Sequence, residues 1–256
     1  MGASDSRCPA FVLDSVTKAY PRTVALAPLS LTIARGERVA FLGPSGAGKT
    51  TLLHLLGGVI QPSQGQIWVH GQPLSGLTAG RELAGLVGVI HQQFDLVPLL
   101  SVVHNVLAGR LGQWSLMRSL VSLISPRDRH IALEALGKVG ITEKAYERTS
   151  RLSGGEQQRV AVARMLVQDP DIMLADEPVA SVDPARAEDV LSLLSNIASE
   201  RGKTLIATLH SVDLIKRHFS RAIGLRNGEL QFDLPTGEVT EEMLERLYEI
   251  RGRVEG

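Results

Sequence analysis

The segment Gly43-Pro44-Ser45-Gly46-Ala47-Gly48-Lys49-Thr50 has the spacing G-x-x-x-x-G-K-[ST], and its fixed positions have chemical reasons. Glycines let a loop close around phosphates, because a Cβ would obstruct the backbone's approach. The N–H groups so exposed, with the N-terminus of a following helix, face the negative charge. Lys49 is the residue that reaches β- and γ-phosphates, and the Thr50 hydroxyl is a ligand for Mg²⁺. Thr51 extends the same candidate contact surface. Far downstream stands Asp176-Glu177. Asp176 is placed to hold Mg²⁺ through its water shell, and Glu177 to orient or deprotonate an attacking water. Alone, such a pair is an ordinary strand end or helix cap. With the phosphate loop upstream it reads as the hydrolytic half of a nucleotide site.

These residues need a scaffold, and the apolar runs supply one. Val39-Ala40-Phe41-Leu42 reads as a buried strand leading into the glycine-rich turn, with a helix from about Gly48 to Leu56 behind it. Ile172-Met173-Leu174-Ala175 is a second buried strand, so Asp176 and Glu177 fall at its C-terminal end, where open α/β sheets bind ligands. Thr204 to Thr208 is a third, after a helix that starts at Asp183-Pro184 and shares Val190, Leu194 and Ile197 on one face. Phe11 to Tyr20 and Leu29 to Ala34 alternate like antiparallel strands. From about Gln92 to Ser150 helical signals dominate, broken at Ser125-Pro126. Thr240 to Tyr248 predicts a final helix with Met243, Leu244 and Leu247 on one side. The fold class expected is α/β, with an antiparallel β subdomain at the N-terminus and a helical subdomain inserted in the core.

Composition narrows the partners. Lys plus Arg equals Asp plus Glu at 27 each, so no broad positive field favours nucleic acid. Cys8 is the single cysteine, which excludes an internal disulfide and a cysteine-rich metal site. No apolar run reaches the length of about 18 residues that a spanning helix needs. The nearest stretch, Leu111 to Ile124, is interrupted by Gln113 and Arg118. A membrane role is therefore expected to come through a partner.

Leu152-Ser153-Gly154-Gly155-Glu156-Gln157-Gln158-Arg159 is a turn entering a helix, a second anion-facing helix start. As L-S-G-G-E-Q it resembles the signature motif of ABC ATPases, and the family's other motifs stand in order. Tyr20 is similar to the aromatic that stacks on adenine, Gly43 to Thr50 to the Walker A loop, and Gln92 to the Q-loop glutamine. Asp176 and Glu177 are similar to Walker B, Ser181-Val182-Asp183 to the D-loop, and His210 to the switch histidine. The resemblance implies a P-loop NTPase core over residues 1–91 and 151–256, with residues 92–150 as the helical insert. It implies ATP and Mg²⁺ as cofactors, with Glu177, His210 and Gln92 in catalysis and Thr50, Gln92 and Asp176 around the metal. It further implies a head-to-tail pair of subunits, a homodimer in the simplest case. Each ATP would lie on the Walker A loop of one copy and against Ser153, Gly154, Gly155, Glu156 and Asp183 of the other.

His91 and His104 depart from the family pattern, at positions where an aromatic and an acid are usual. Gln92-Gln93-Phe94-Asp95-Leu96-Val97-Pro98, Gly109-Arg110-Leu111-Gly112, Trp114, Lys144-Ala145-Tyr146 and Leu209-His210-Ser211 resemble the phosphonate importer ATPase group. That resemblance implies transmembrane permease subunits, an external substrate-binding protein, and a peripheral place on the cytoplasmic face of the cell membrane. Its alternatives are a lipoprotein-release or efflux ATPase and a soluble ABC protein outside transport. An apolar stretch around Leu116 and Leu120 is expected to help form a permease groove.

Overall fold

The computed structural model describes residues 8–77, 81–114, 128–179 and 184–248. The elements run β1 (Phe11–Tyr20), β2 (Thr23–Ile33), β3 (Arg38–Leu42), α1 (Lys49–Leu56), β4 (Gln64–Val69), β5 (Gln72–Pro73), α2 (Arg81–Leu86) and β6 (Val87–Ile90). After these come α3 (Val102–Leu107), α4 (Arg129–Lys138), α5 (Gly154–Gln168), β7 (Ile172–Ala175), α6 (Pro184–Arg201), β8 (Thr204–Thr208), α7 (Val212–His218), β9 (Arg221–Arg226), β10 (Glu229–Pro235) and α8 (Glu241–Tyr248). The three buried strands expected from apolar runs are β3, β7 and β8, and the helix after the glycine-rich turn is α1.

Two sheets result. One is antiparallel, in the order β2-β1-β4-β5, and the other has the order β10-β9-β3-β8-β7-β6. In the second, β9, β3, β8, β7 and β6 run parallel and β10 closes one edge antiparallel to β9. A parallel sheet is covered on both faces, and its strands accordingly read as unbroken apolar runs. The side chains sort by strand pleat. Val39, Phe41, Ile172, Leu174, Ile206, Ile223 and Leu225 point to α1 and the antiparallel sheet. Ala40, Leu42, Met173, Ala175, Leu205, Ala207 and Ala222 point to the core shared with α3, α5 and α6. Period-2 alternation in a run that is apolar throughout thus feeds two separate cores.

The antiparallel sheet has one face buried, by Phe11, Leu13 and Val16 of β1 and Leu26, Leu29, Leu31 and Ile33 of β2. Arg221 fastens β9 to its neighbours. Its guanidinium donates to both carboxylate oxygens of Asp233 at 2.5 and 2.6 Å, to Glu37 at 3.1 Å and to the Thr32 carbonyl at 3.0 Å. These acids push its pKa upward, against the opposing effect of burial.

Between β6 and α5 the described residues hold α3, α4 and short 3₁₀ turns, with one isolated bridge joining Ser101 to Arg148. Asn105 ties the start of this region together, accepting from Val97 N–H at 2.7 Å and donating to the Val97 carbonyl at 3.1 Å. Leu116 and Leu120 lie outside the described residues. In α8, Leu247 is buried and Leu244 packs against the core, but Met243 remains 37% exposed. Eight residues give this helix room for a narrow apolar stripe only, and Met243 stands outside it.

Gly109, just past α3, lies close against α5. A Cβ there would lie 2.4 Å from the Arg164 carbonyl oxygen, a backbone atom that cannot swing aside. Gly109→Ala is expected to cost about 1–3 kcal/mol by overpacking. Thermal unfolding checks this: an unshifted midpoint would mean that α3 and α5 are free to separate.

Candidate nucleotide site

The strand order brings the chemistry together. The glycine-rich loop leaves the C-terminal end of β3, Asp176 and Glu177 follow β7, Leu209 and His210 follow β8, and His91 and Gln92 follow β6. Because β3, β8, β7 and β6 are successive neighbours, all four ends open on one edge of the sheet. Ligands bind at such carboxyl ends in α/β sheets.

Within the loop, Gly43 has φ +142° and a Cβ would lie 2.0 Å from the Leu225 carbonyl oxygen. Gly48 has φ +100°, and its Cβ would meet the Ala25 carbonyl at 2.6 Å. Both positions demand glycine for space as well as conformation. Lys49 is buried, and its Nζ donates to the carbonyls of Gly43 at 2.7 Å and Pro44 at 3.0 Å. Burial lowers its pKa, while the negative charges of Glu177 and Asp176 work in the opposite direction. Pro44 thus serves through its carbonyl, whereas Ser45, Gly46, Ala47, Gly48, Lys49, Thr50 and Thr51 line a cleft of about 660 Å³. Gln92, Glu177 and His210 line the same cleft.

Asp176 is only 2% exposed and its carboxylate accepts from two hydroxyls, Thr208 at 2.7 Å and Thr50 at 3.2 Å. Glu177 adopts φ +46°, uncommon for a residue with a side chain. Its N–H donates to the Thr208 hydroxyl at 2.7 Å, which holds the turn. The Glu177 carboxylate accepts from Gln92 Nε2 at 3.0 Å on one oxygen and lies 2.9 Å from His210 Nε2 on the other. This contact is made by Gln92, the residue that the family resemblance singles out.

Thr50 Oγ1 and Asp176 Oδ1 are hard oxygen donors that already converge. Among the described residues no cluster of three His, Cys, Asp or Glu side chains forms a metal cage. That donor set fits Mg²⁺, which binds through one or two protein oxygens and takes the rest from water and phosphate.

Ser153, Gly154, Gly155 and Glu156 are elsewhere. Ser153 is the N-cap of α5, in a capping box with Glu156. Glu156 accepts from the Ser153 N–H at 2.8 Å and the Ser153 hydroxyl at 2.9 Å. Ser153 and Gly154 are exposed, and none of the four lines the Lys49 cleft. Tyr20 also stays outside the lining. It is 48% exposed at the end of β1, with Lys18 Nζ 5.3 Å from its ring centre. Its strand partner Thr23 and the next residue, Val24, do line the cleft. Asp183, with Ser181 and Val182, lies outside the described residues.

Three residues escaped the sequence reading. Thr208 bridges the two acids, and the available signal was a hydroxyl at the end of a strand with an apolar middle, which must find partners once buried. Asn227 lines the cleft from the turn between β9 and β10, with φ +52°. Arg164 of α5 donates to the carbonyls of Asp95 at 2.8 Å and Phe94 at 2.6 Å. Those two residues both have positive φ, +60° at Phe94 and +46° at Asp95. Burial lowers the Arg164 pKa, with the Asp95 charge opposing it.

Comparison with known proteins agrees with this architecture. The ABC transporter family model matches residues 26–180. The "Phosphonates import ATP-binding protein PhnC" of Anaeromyxobacter dehalogenans is 49% identical over 245 residues, 95% of this chain. This chain spans only 49% of that relative's length. "Phosphonates import ATP-binding protein PhnC 1" of Pseudomonas aeruginosa is 49% identical over 226 residues, covering 88% of this chain and 85% of the relative. Among solved structures, a dimeric ATP-binding cassette in a post-hydrolysis state with ADP and Pi superposes with a TM-score of 0.79. It is 31% identical, and the match covers 88% of this chain and 98% of that one. A nucleotide-free cassette from an ABC transporter shares the fold at 20% identity and a TM-score of 0.78, over 93% of this chain and 94% of that one. With a phosphate loop, an acid pair and a capped glycine turn set on that shared scaffold, this chain belongs to the ABC transporter family.

Proposed function

We propose that this chain binds ATP with Mg²⁺ and hydrolyses it as one member of a subunit pair, driving import of a phosphonate or a related phosphorus oxyanion such as phosphite. The observation that carries the hydrolytic part is the Glu177 carboxylate, held between Gln92 and His210 in the same cleft as Lys49. The names of the relatives, at about 49% identity, support the cargo.

In this reading Gly43 to Thr51 cradle the phosphates, and Lys49 exchanges its carbonyl partners for phosphate oxygens. Thr50 and Asp176 hold the metal, with Gln92 beside them. Bound there, Mg²⁺ supplies positive charge that offsets the charge developing on the phosphate oxygens. Glu177 orients the attacking water and takes its proton, and His210 helps place that water near the γ-phosphate. Tyr20 stacks on adenine from beside the cleft. Ser153, Gly154, Gly155 and Glu156 face the nucleotide of the partner subunit, as does Asp183. That division explains why two phosphate-facing loops of one chain open on different surfaces.

No helix among the described residues is long and apolar enough to cross a membrane. In this reading a separate permease spans the membrane, with residues 92–150 as the insert that meets it. The cargo is selected by that permease and an external binding protein, with this chain peripheral on the cytoplasmic face. The rest of the chain, 1–91 and 151–256, is the ATPase core.

Glu177→Gln keeps the side-chain shape and removes the base. Steady-state phosphate release should fall by a hundredfold or more, while ATP binding persists and gel filtration shows a nucleotide-dependent pair. Turnover at the parental rate would remove Glu177 from the base role. For the cargo, the measurement is uptake of radiolabelled phosphonate, phosphite and phosphate in cells with and without the gene. Loss of phosphonate or phosphite uptake, restored by the intact gene and not by the Glu177→Gln form, is the expected result. Undiminished uptake of both would refute the import reading.

A further inference from the structure

The C-terminal helix reaches the phosphate loop. Tyr248, the last residue of α8, places its hydroxyl 3.3 Å from the Gly43 backbone nitrogen and accepts a hydrogen bond from that N–H. Gly43 is the first residue of the loop, and its other polar group is also engaged, since its carbonyl accepts from Lys49 Nζ at 2.7 Å. One peptide residue therefore links α8 to the lysine of the nucleotide site.

The surrounding contacts leave this residue little freedom. The Leu225 carbonyl of β9 fills the space where a Gly43 side chain would stand. Leu247 is 2% exposed, and Leu244 and Tyr248 pack against the same core. The Arg226 guanidinium, at the end of β9, donates to the Arg246 carbonyl of α8. The next residue, Asn227, lines the cleft. Burial pushes the Tyr248 pKa up, so the hydroxyl stays neutral well above neutral pH, with the Gly43 bond pulling the other way.

We infer that Tyr248 is a positioning residue for nucleotide binding, fixing the entry to the phosphate loop through the Gly43 N–H and so the resting place of Lys49. It touches no reacting atom. The inference rests on the ATP-binding reading above for its ligand, and on geometry alone for its contact.

Tyr248→Phe tests it, because the ring and its packing stay while the acceptor oxygen goes. At 3.3 Å the bond is at the long end of its range, so the effect is expected to be modest. KM for ATP should rise roughly two- to fivefold, with kcat at saturating ATP reduced less than twofold. Amide hydrogen exchange at Gly43 should quicken in the same variant. A helix that merely props the fold would instead lower the unfolding midpoint and the active fraction, leaving KM and Gly43 exchange at parental values. That outcome would overturn the inference. A fluorescent ATP analogue titrated into the parent protein separates the two readings. No binding by the parent would defeat the ATP assignment, whereas equal binding by parent and Tyr248→Phe would defeat only the role of Tyr248. The exchange measurement needs no nucleotide and decides the contact in either case.

Discussion

The site depends on a hydroxyl at the end of the central strand. Because β8 lies between β3 and β7, Thr208 sits between the lysine loop and the acid pair. Its single oxygen donates to Asp176 and accepts from the Glu177 N–H. The first bond holds the buried carboxylate that also meets Thr50, and the second stabilises a backbone turn that a non-glycine residue resists. Without that turn, the chain after β7 would carry the Glu177 side chain away from Gln92 and His210. A buried hydroxyl with both functions used is fully satisfied, and a satisfied polar group inside a core rigidifies what it joins.

The scaffold that delivers Thr208 was legible where the sequence is apolar and continuous. The strands β3, β7 and β8 show as runs of buried residues, and the motif residues fall at their ends. Other strands were not legible. In β4, Gln64, Gly65 and Gln66 precede Ile67, and β10 is exposed or half-exposed throughout. Such strands are defined by their pairing with β1 and β9 rather than by their own burial. Strand order was hidden for a similar reason: β9 and β8 flank β3 although both lie more than a hundred and fifty residues downstream of it. Within the site, Lys49, Asp176 and Glu177 announce their chemistry by type and spacing. Thr208, Arg164 and Tyr248 do not, because threonine, arginine and tyrosine are ordinary on strands and helices. Only three-dimensional contact gives them a role.

The layering of the sheet also sets the Ser153 turn apart from the lysine loop. Ser153 begins α5, and that helix packs against the face of the sheet carrying Ala40, Met173 and Ala207. The lysine loop begins α1, which packs against the opposite face with Phe41, Leu174 and Ile206. Ser153, Gly154, Gly155 and Glu156 do not line the Lys49 cleft of their own copy. That separation is what the pairing proposed for the nucleotide accounts for.

A continuous run of contacts nevertheless joins the two regions inside one chain. Glu177 accepts from Gln92, and two residues beyond Gln92 the backbone enters consecutive left-handed conformations at Phe94 and Asp95. Each such conformation costs about 1–2 kcal/mol for a residue with a side chain. Arg164 offsets that strain by donating to both carbonyls, and Arg164 belongs to the helix that Ser153 caps. Gly109 lets the segment after α3 lie against the same helix at the Arg164 carbonyl. A displacement of Gln92 on exchange of its Glu177 partner would therefore bear on a strained turn clamped by α5, not on a slack loop. The two hydrogen bonds from the partly buried Arg164 guanidinium tie this turn to one helix.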